Sequence, residues 1–117
     1  PSGYRGNRIK ETLNEIREIK TIADQNDIRL IIFINPIHIT TYLDSNQQEF
    51  SEFKAGLAKI AAYYDFSGSN PITSDNYYYY ETSHYRPIVG DMIIARLFSL
   101  TSQALPEGFG IEVKNEQ

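Results

Sequence analysis

Seven consecutive residues, Glu81-Thr82-Ser83-His84-Tyr85-Arg86-Pro87, form the stretch of this sequence best suited to chemistry. An acid stands three residues before a histidine, and the histidine lies just ahead of a proline that opens an apolar run. A turn over that spacing brings the carboxylate back to one ring nitrogen, fixes the tautomer and leaves the other nitrogen as a general base. A helix starting at Pro87 directs its positive end at the ring and favours the neutral, proton-accepting imidazole. Taken alone, the spacing fits a surface histidine near a helix start better than a catalytic one.

Other residues have two readings each. His38, flanked by Ile37 and Ile39 beyond an apolar run, either lines the same cleft as His84 or is a partly buried structural histidine. Asn35 and Asp65 sit where strands should end, placed to bind substrate hydroxyls or to cap turns. The tetrad Tyr77 to Tyr80 offers rings, Tyr80 beside Glu81 in particular, that can stack on sugars or acyl groups; alternate rings can instead pack into the core. A metal centre from His38, His84 and a carboxylate lacks the ligand spacing usual for zinc, and no cofactor is implied.

These side chains need elements to hold them. Apolar residues at Ile9, Leu13, Ile16, Ile19 and Ala23 predict an amphipathic helix from Arg8 to about Asp24, capped by Asn7. Ile28 to Ile34 is β-branched and almost wholly apolar, which predicts a strand buried on both faces and ended by Asn35-Pro36. Ser45 with Gln48 reads as a capping box before a helix to about Ala62, whose apolar face carries Phe50, Phe53, Leu57, Ile60 and Ala61. Tyr63 to Phe66 is a second strand, followed by a long loop to Arg86. Pro87 opens a third helix, expected to be largely buried, with Gly90 permitting close packing. Phe109 to Val113 is a possible edge strand.

Helix-strand-helix-strand-helix is the order of a parallel α/β layer. The sequence therefore predicts one domain over residues 1–117, of a three-layer, flavodoxin-like, parallel-sheet class. Two or three strands are few for three helices of this apolarity, since about four to six are usual. The chain thus reads as the C-terminal part of a larger domain, and a first residue of Pro agrees with a start inside a longer protein.

Composition sets the outer limits. Hydrophobic residues make up 41 % and charged residues 22 %, as in folded globular chains. Eleven basic residues are scattered among fifteen acidic ones for a net charge of -4, which disfavours a phosphate-binding patch and so nucleic acid. The longest apolar run, Leu30 to Ile34, is far short of the roughly 20 residues that span a bilayer, so membrane insertion by this segment is not expected. The chain has no cysteine, which excludes disulfides and leaves the compartment open.

The segment YYYYETSHYRPIVGDMIIARLF resembles the C-terminal block of SGNH/GDSL hydrolase-like proteins, in which an acid, commonly Asp, stands three residues before the catalytic histidine and a helix follows. YYDFSGSNPITSDN is similar to the strand and loop that precede that block in a bacterial branch, and IIFINPIH to an earlier strand. By position, the resemblance makes His84 the catalytic base and Glu81 the triad acid, with Glu where Asp is usual. The family's GDS-like nucleophile block, Gly block and Asn block are absent, and Ser67, Ser69 and Ser83 stand in the wrong places to substitute.

The resemblance implies a serine esterase or O-acyltransferase that acts on a small-molecule or polysaccharide ester, in the cell envelope by analogy. Serine and oxyanion donors would come from a missing N-terminal part of the same protein, leaving this piece inactive alone. Two alternatives remain: a non-catalytic binding or assembly domain of the same fold, and an unrelated flavodoxin-like interaction module.

Overall fold

The computed structural model describes residues 2–100 and 104–116, with side chains from Arg8 onward. The protein is α/β, with helices α1 (Ser2–Gln25), α2 (Ile39–Asp44), α3 (Gln47–Ile60) and α4 (Pro87–Leu97). Its strands are β1 (Phe33–Ile34), β2 (Tyr63–Asp65), β3 (Tyr79–Glu81), β4 (His84–Tyr85) and β5 (Ile111–Val113). The chain divides into two compact units, one built on residues 1–32, 46–63 and 113–117, the other on residues 33–45 and 64–112.

In the first unit α1 packs on α3. The apolar positions of α1 that are buried or half-buried are Ile9, Leu13, Ile16 and Ala23, while Ile19 and Ile22 face water. Helix α3 buries Leu57, Ala58 and Ile60. Gly56 meets Leu13 so closely that a side chain there would overlap it. The carbonyl of Ala58 receives the Glu116 amide (2.9 Å) and the Asn115 side-chain amide (2.7 Å).

Two helix starts differ from the sequence expectation. Helix α1 begins at Ser2, so Asn7 lies within it and is not its cap. Helix α3 is capped by Asn46, whose side chain accepts from the Glu49 amide, while Ser45 closes the unanticipated α2. Asn supplies a side-chain carbonyl as readily as Ser supplies a hydroxyl, and Asn46 stands at the right offset from Glu49.

The second unit holds a three-stranded sheet of order β1-β2-β5, with β1 and β2 parallel in the register Phe33↔Tyr64 and Ile34↔Asp65. Phe66, with its ring against Phe33 and Phe109, is fully buried, as are Ile72 and Val89. Here the expected first strand fails in two respects: only Phe33 and Ile34 of the seven-residue run pair, and the run is not buried on both faces. Ile28 is 59 % exposed in the turn that closes α1, and Phe33 is 39 % exposed because β1 is an edge with no neighbour on its outer side among the described residues.

Helix α4 begins at Pro87, as expected, and buries Val89, Met92, Ile93, Ala95 and Leu97. It is buried on one side only, since Ile88 and Ile94 are exposed and the chain leaves the helix before Phe98 and Leu100, also exposed. Gly90 has open space around its Cα, so close packing there is a misreading. The tight glycine is Gly110, at φ 82°, pressed against the Phe66 ring and the Arg96 stem. Strand β5 starts just after it, two residues later than expected.

Gly110→Ala should therefore destabilise by about 2 kcal/mol through overlap and a left-handed φ. Gly90→Ala should stabilise by roughly 0.5–1 kcal/mol, as in an open helix interior. Urea midpoints of the two variants against the parent check both signs.

Candidate functional site

The long loop before α4 is built, not irregular. Phe66 to Asp75 folds on itself: the Asn70 side chain accepts from the Ile72 and Thr73 amides (both 3.0 Å) and donates to the Phe66 carbonyl. Asp65 accepts from the amide and hydroxyl of Ser67 and so caps a turn. Asp75 caps a single 3-10 turn, Asn76–Tyr78, by accepting from the Tyr77 amide. The chain then enters the antiparallel hairpin β3–β4, whose loop is Thr82-Ser83 and whose pairing slips between Tyr79 and Glu81.

That slip sets Glu81 opposite His84. Glu81 Oε1 accepts from the Ser83 amide at 2.7 Å and lies 2.8 Å from His84 Nδ1. The extra methylene of Glu over Asp is taken up by the bulge and turn, so the acid and the imidazole meet. Their side chains remain 59 % and 75 % exposed. Hydrogen bonding from Ser83, then from His84, holds the Glu81 carboxyl below its ordinary range. Among the described residues nothing bonds to Nε2 of His84, which faces away from the carboxylate.

The hairpin is moored to the corner between β1 and α2. Tyr79 is buried, donates to the Pro36 carbonyl at 2.7 Å and lies edge-on to the His38 ring. Burial, with the Tyr85 phenol nearby, pushes the Tyr79 hydroxyl up to about 12. His38 is 6 % exposed, and its Nδ1 accepts the Thr40 amide at the start of α2. Nε2 therefore carries the hydrogen and donates to Asn76 Oδ1 at 2.7 Å. Tyr85 donates to Asn35 Oδ1 (3.1 Å), and Thr41 to the Thr82 carbonyl at the hairpin tip (3.0 Å).

Five of the residues singled out from the sequence, Asn35, His38, Tyr80, Glu81 and His84, thus fall around one corner. Asn35 follows the carboxyl end of β1 and holds the neighbour of His84; His38 has both nitrogens engaged inside the protein. Tyr80 is 63 % exposed and, with His38, Asn76, Tyr79, Glu81 and Thr82, lines a shallow cavity of about 260 Å³. His84 lies outside that lining. Among the described residues no group of three or more His, Asp or Glu could hold a metal ion.

The sequence reading gave Asn76 and Arg86 no role of their own, and reached Tyr79 only as one ring of the tetrad. Asp75 two residues before Tyr77 was a usable signal for the turn that places Asn76. The bond of Asn76 to His38, 38 residues away, had no local signal. No family model, curated protein or solved structure matches the chain.

Because Glu81 is depressed in the folded chain, its pairing is intact above the ordinary glutamate range and is lost as pH falls through the folded value. A carboxyl-detected NMR titration should place the Glu81 midpoint below that of an unstructured glutamate. In His84→Ala it should recover only partly, since the Ser83 amide remains. For Tyr79 the sign is opposite: a raised phenol leaves stability whole below pH about 10 and erodes it toward about 12. Tyr79→Phe should lose about 1 kcal/mol at neutral pH and abolish that alkaline slope in urea unfolding measured from pH 8 to 12.

Proposed function

We propose that this chain is the C-terminal part of an SGNH-type serine esterase or O-acyltransferase, contributing the acid and the histidine of its triad. The observation that carries the reading is the 2.8 Å contact of Glu81 Oε1 with His84 Nδ1, which leaves Nε2 turned outward. In the intact protein a serine from another segment attacks the ester carbonyl and His84 Nε2 takes its proton. Glu81 stabilises the imidazolium, which then returns the proton to the leaving alkoxide. The acyl-enzyme passes its acyl group to water or to an acceptor hydroxyl. The substrate class is an O-acylated small molecule or polysaccharide, and an extracytoplasmic setting follows by analogy.

The fold supports the same reading. The hairpin sits by the carboxyl end of β1, where parallel α/β sheets bind ligands. Three strands of two or three residues form a small sheet, and apolar side chains stand exposed on its edge and on α4, at Phe33, Ile88 and Ile94. A three-layer, flavodoxin-like domain with further strands beyond β1 would cover such surface.

A second reading, a non-catalytic binding or assembly domain of the same architecture, is favoured by one observation: the Glu81–His84 pair closes an exposed two-residue hairpin loop, and His84 is not among the residues lining the adjacent cavity. In that case the pair is a clasp for the turn.

A fluorophosphonate probe on the longest natural protein containing this chain separates the two. The hydrolase reading expects one labelled serine outside this chain, with labelling abolished in His84→Ala and cut at least about tenfold in Glu81→Gln. A folded protein that takes no label supports the binding domain. The 117-residue chain alone should turn over no aryl ester.

A further inference from the structure

We propose that Tyr77, Arg86 and Tyr80 form a binding platform for an acidic pyranoside, such as a uronic acid residue of a polysaccharide. The Arg86 guanidinium lies over both rings, 5.8 Å from the centroid of Tyr77 and 5.0 Å from that of Tyr80. Its Nε donates to the Tyr77 carbonyl at 2.7 Å, so the side chain is held from its stem. Among the described residues no carboxylate pairs with it, and its terminal nitrogens remain open to a ligand. A fork of donors held in one plane recognises a carboxylate through two parallel bonds.

The rings supply the second half of the site. Tyr77 and Tyr80 are 65 % and 63 % exposed, an uncommon amount for large aromatic side chains with no core role. Fixed by the guanidinium, they offer stiff apolar faces edged with hydroxyls, suited to the C–H face of a sugar ring. Tyr80 continues into the 260 Å³ cavity, where Asn76, Thr82 and the Glu81 carboxylate can meet sugar hydroxyls. The same carboxylate and the net charge of -4 oppose a doubly charged phosphate more than a singly charged carboxylate, and the polar lining of the cavity suits neutral hydroxyls beside it. One carboxylate on a polyhydroxylated ring meets both conditions.

This inference deepens the esterase reading by naming the polymer as acidic, but its test requires no nucleophile. Trigalacturonate and maltotriose are titrated into the 117-residue chain at low salt, followed by NMR, with uridine monophosphate as a phosphate-bearing control. Trigalacturonate should bind roughly tenfold more tightly than maltotriose. Arg86→Gln should erase that preference, Arg86→Lys should retain part of it, and Tyr80→Leu should weaken both sugars.

Equal binding of the two sugars, tighter binding of the nucleotide, or an Arg86→Gln variant of unchanged stability that keeps the preference overturns the proposal. Trigalacturonate binding in a parent that takes no fluorophosphonate rejects the hydrolase and keeps the platform. A labelled parent without sugar preference does the reverse.

Discussion

A hairpin of three residues against two cannot hold itself in water, so something outside it must fix where Glu81 and His84 stand. That constraint is met by the burial of one phenol. Tyr79 enters the core beside His38, and its hydroxyl needs a partner, which the Pro36 carbonyl provides. The bonds from His38 to Asn76, from Tyr85 to Asn35 and from Thr41 to Thr82 then tie successive points of the loop to the β1–α2 corner. With the base of the hairpin so anchored, the exposed tip can carry the carboxylate and imidazole without relying on that pair for its position.

His38 shows how this corner discriminates between readings of one residue. Its ring is buried, both nitrogens are used, and each bond joins a different segment, the amide of Thr40 on one side and the side chain of Asn76 on the other. A ligand could not take either nitrogen without breaking one of these bonds. Its part in any cleft is therefore to shape the wall. Glu81 and Tyr80, on the rim, keep polar atoms free to meet a ligand.

Legibility in the sequence followed the reach of each interaction. Helices α1, α3 and α4 were readable because their buried residues recur within a few positions, and Pro87 marks a start by removing an amide that would go unpaired there anyway. The parallel partnership of β1 and β2 followed from element order. Helix α2 was hidden, since Ile39-Thr40-Thr41 is β-branched and its N-cap is a histidine. The long apolar run before Asn35 suggested burial, but burial is decided by neighbours the run cannot specify. Within the tyrosine tetrad, Tyr79 faces in and Tyr80 out, and without an Asn-Gly or similar signal the turn at Thr82-Ser83 could not be placed. The acid-histidine contact was legible as spacing; its bulge was not.

Pro87 has a further effect on the residue it follows. The ring of a proline keeps its predecessor out of helical space, and Arg86 is accordingly extended at φ -74° and ψ 158°. Helix α4 cannot lengthen backwards by winding in Arg86 and then His84, however strongly its apolar face favours more turns. The imidazole and the guanidinium thus stay outside the rod in a stretch of fixed pitch. Substitutions within α4 can change how well it packs without rotating those two side chains about the helix axis, which separates the upkeep of the core from the aim of the groups at its mouth.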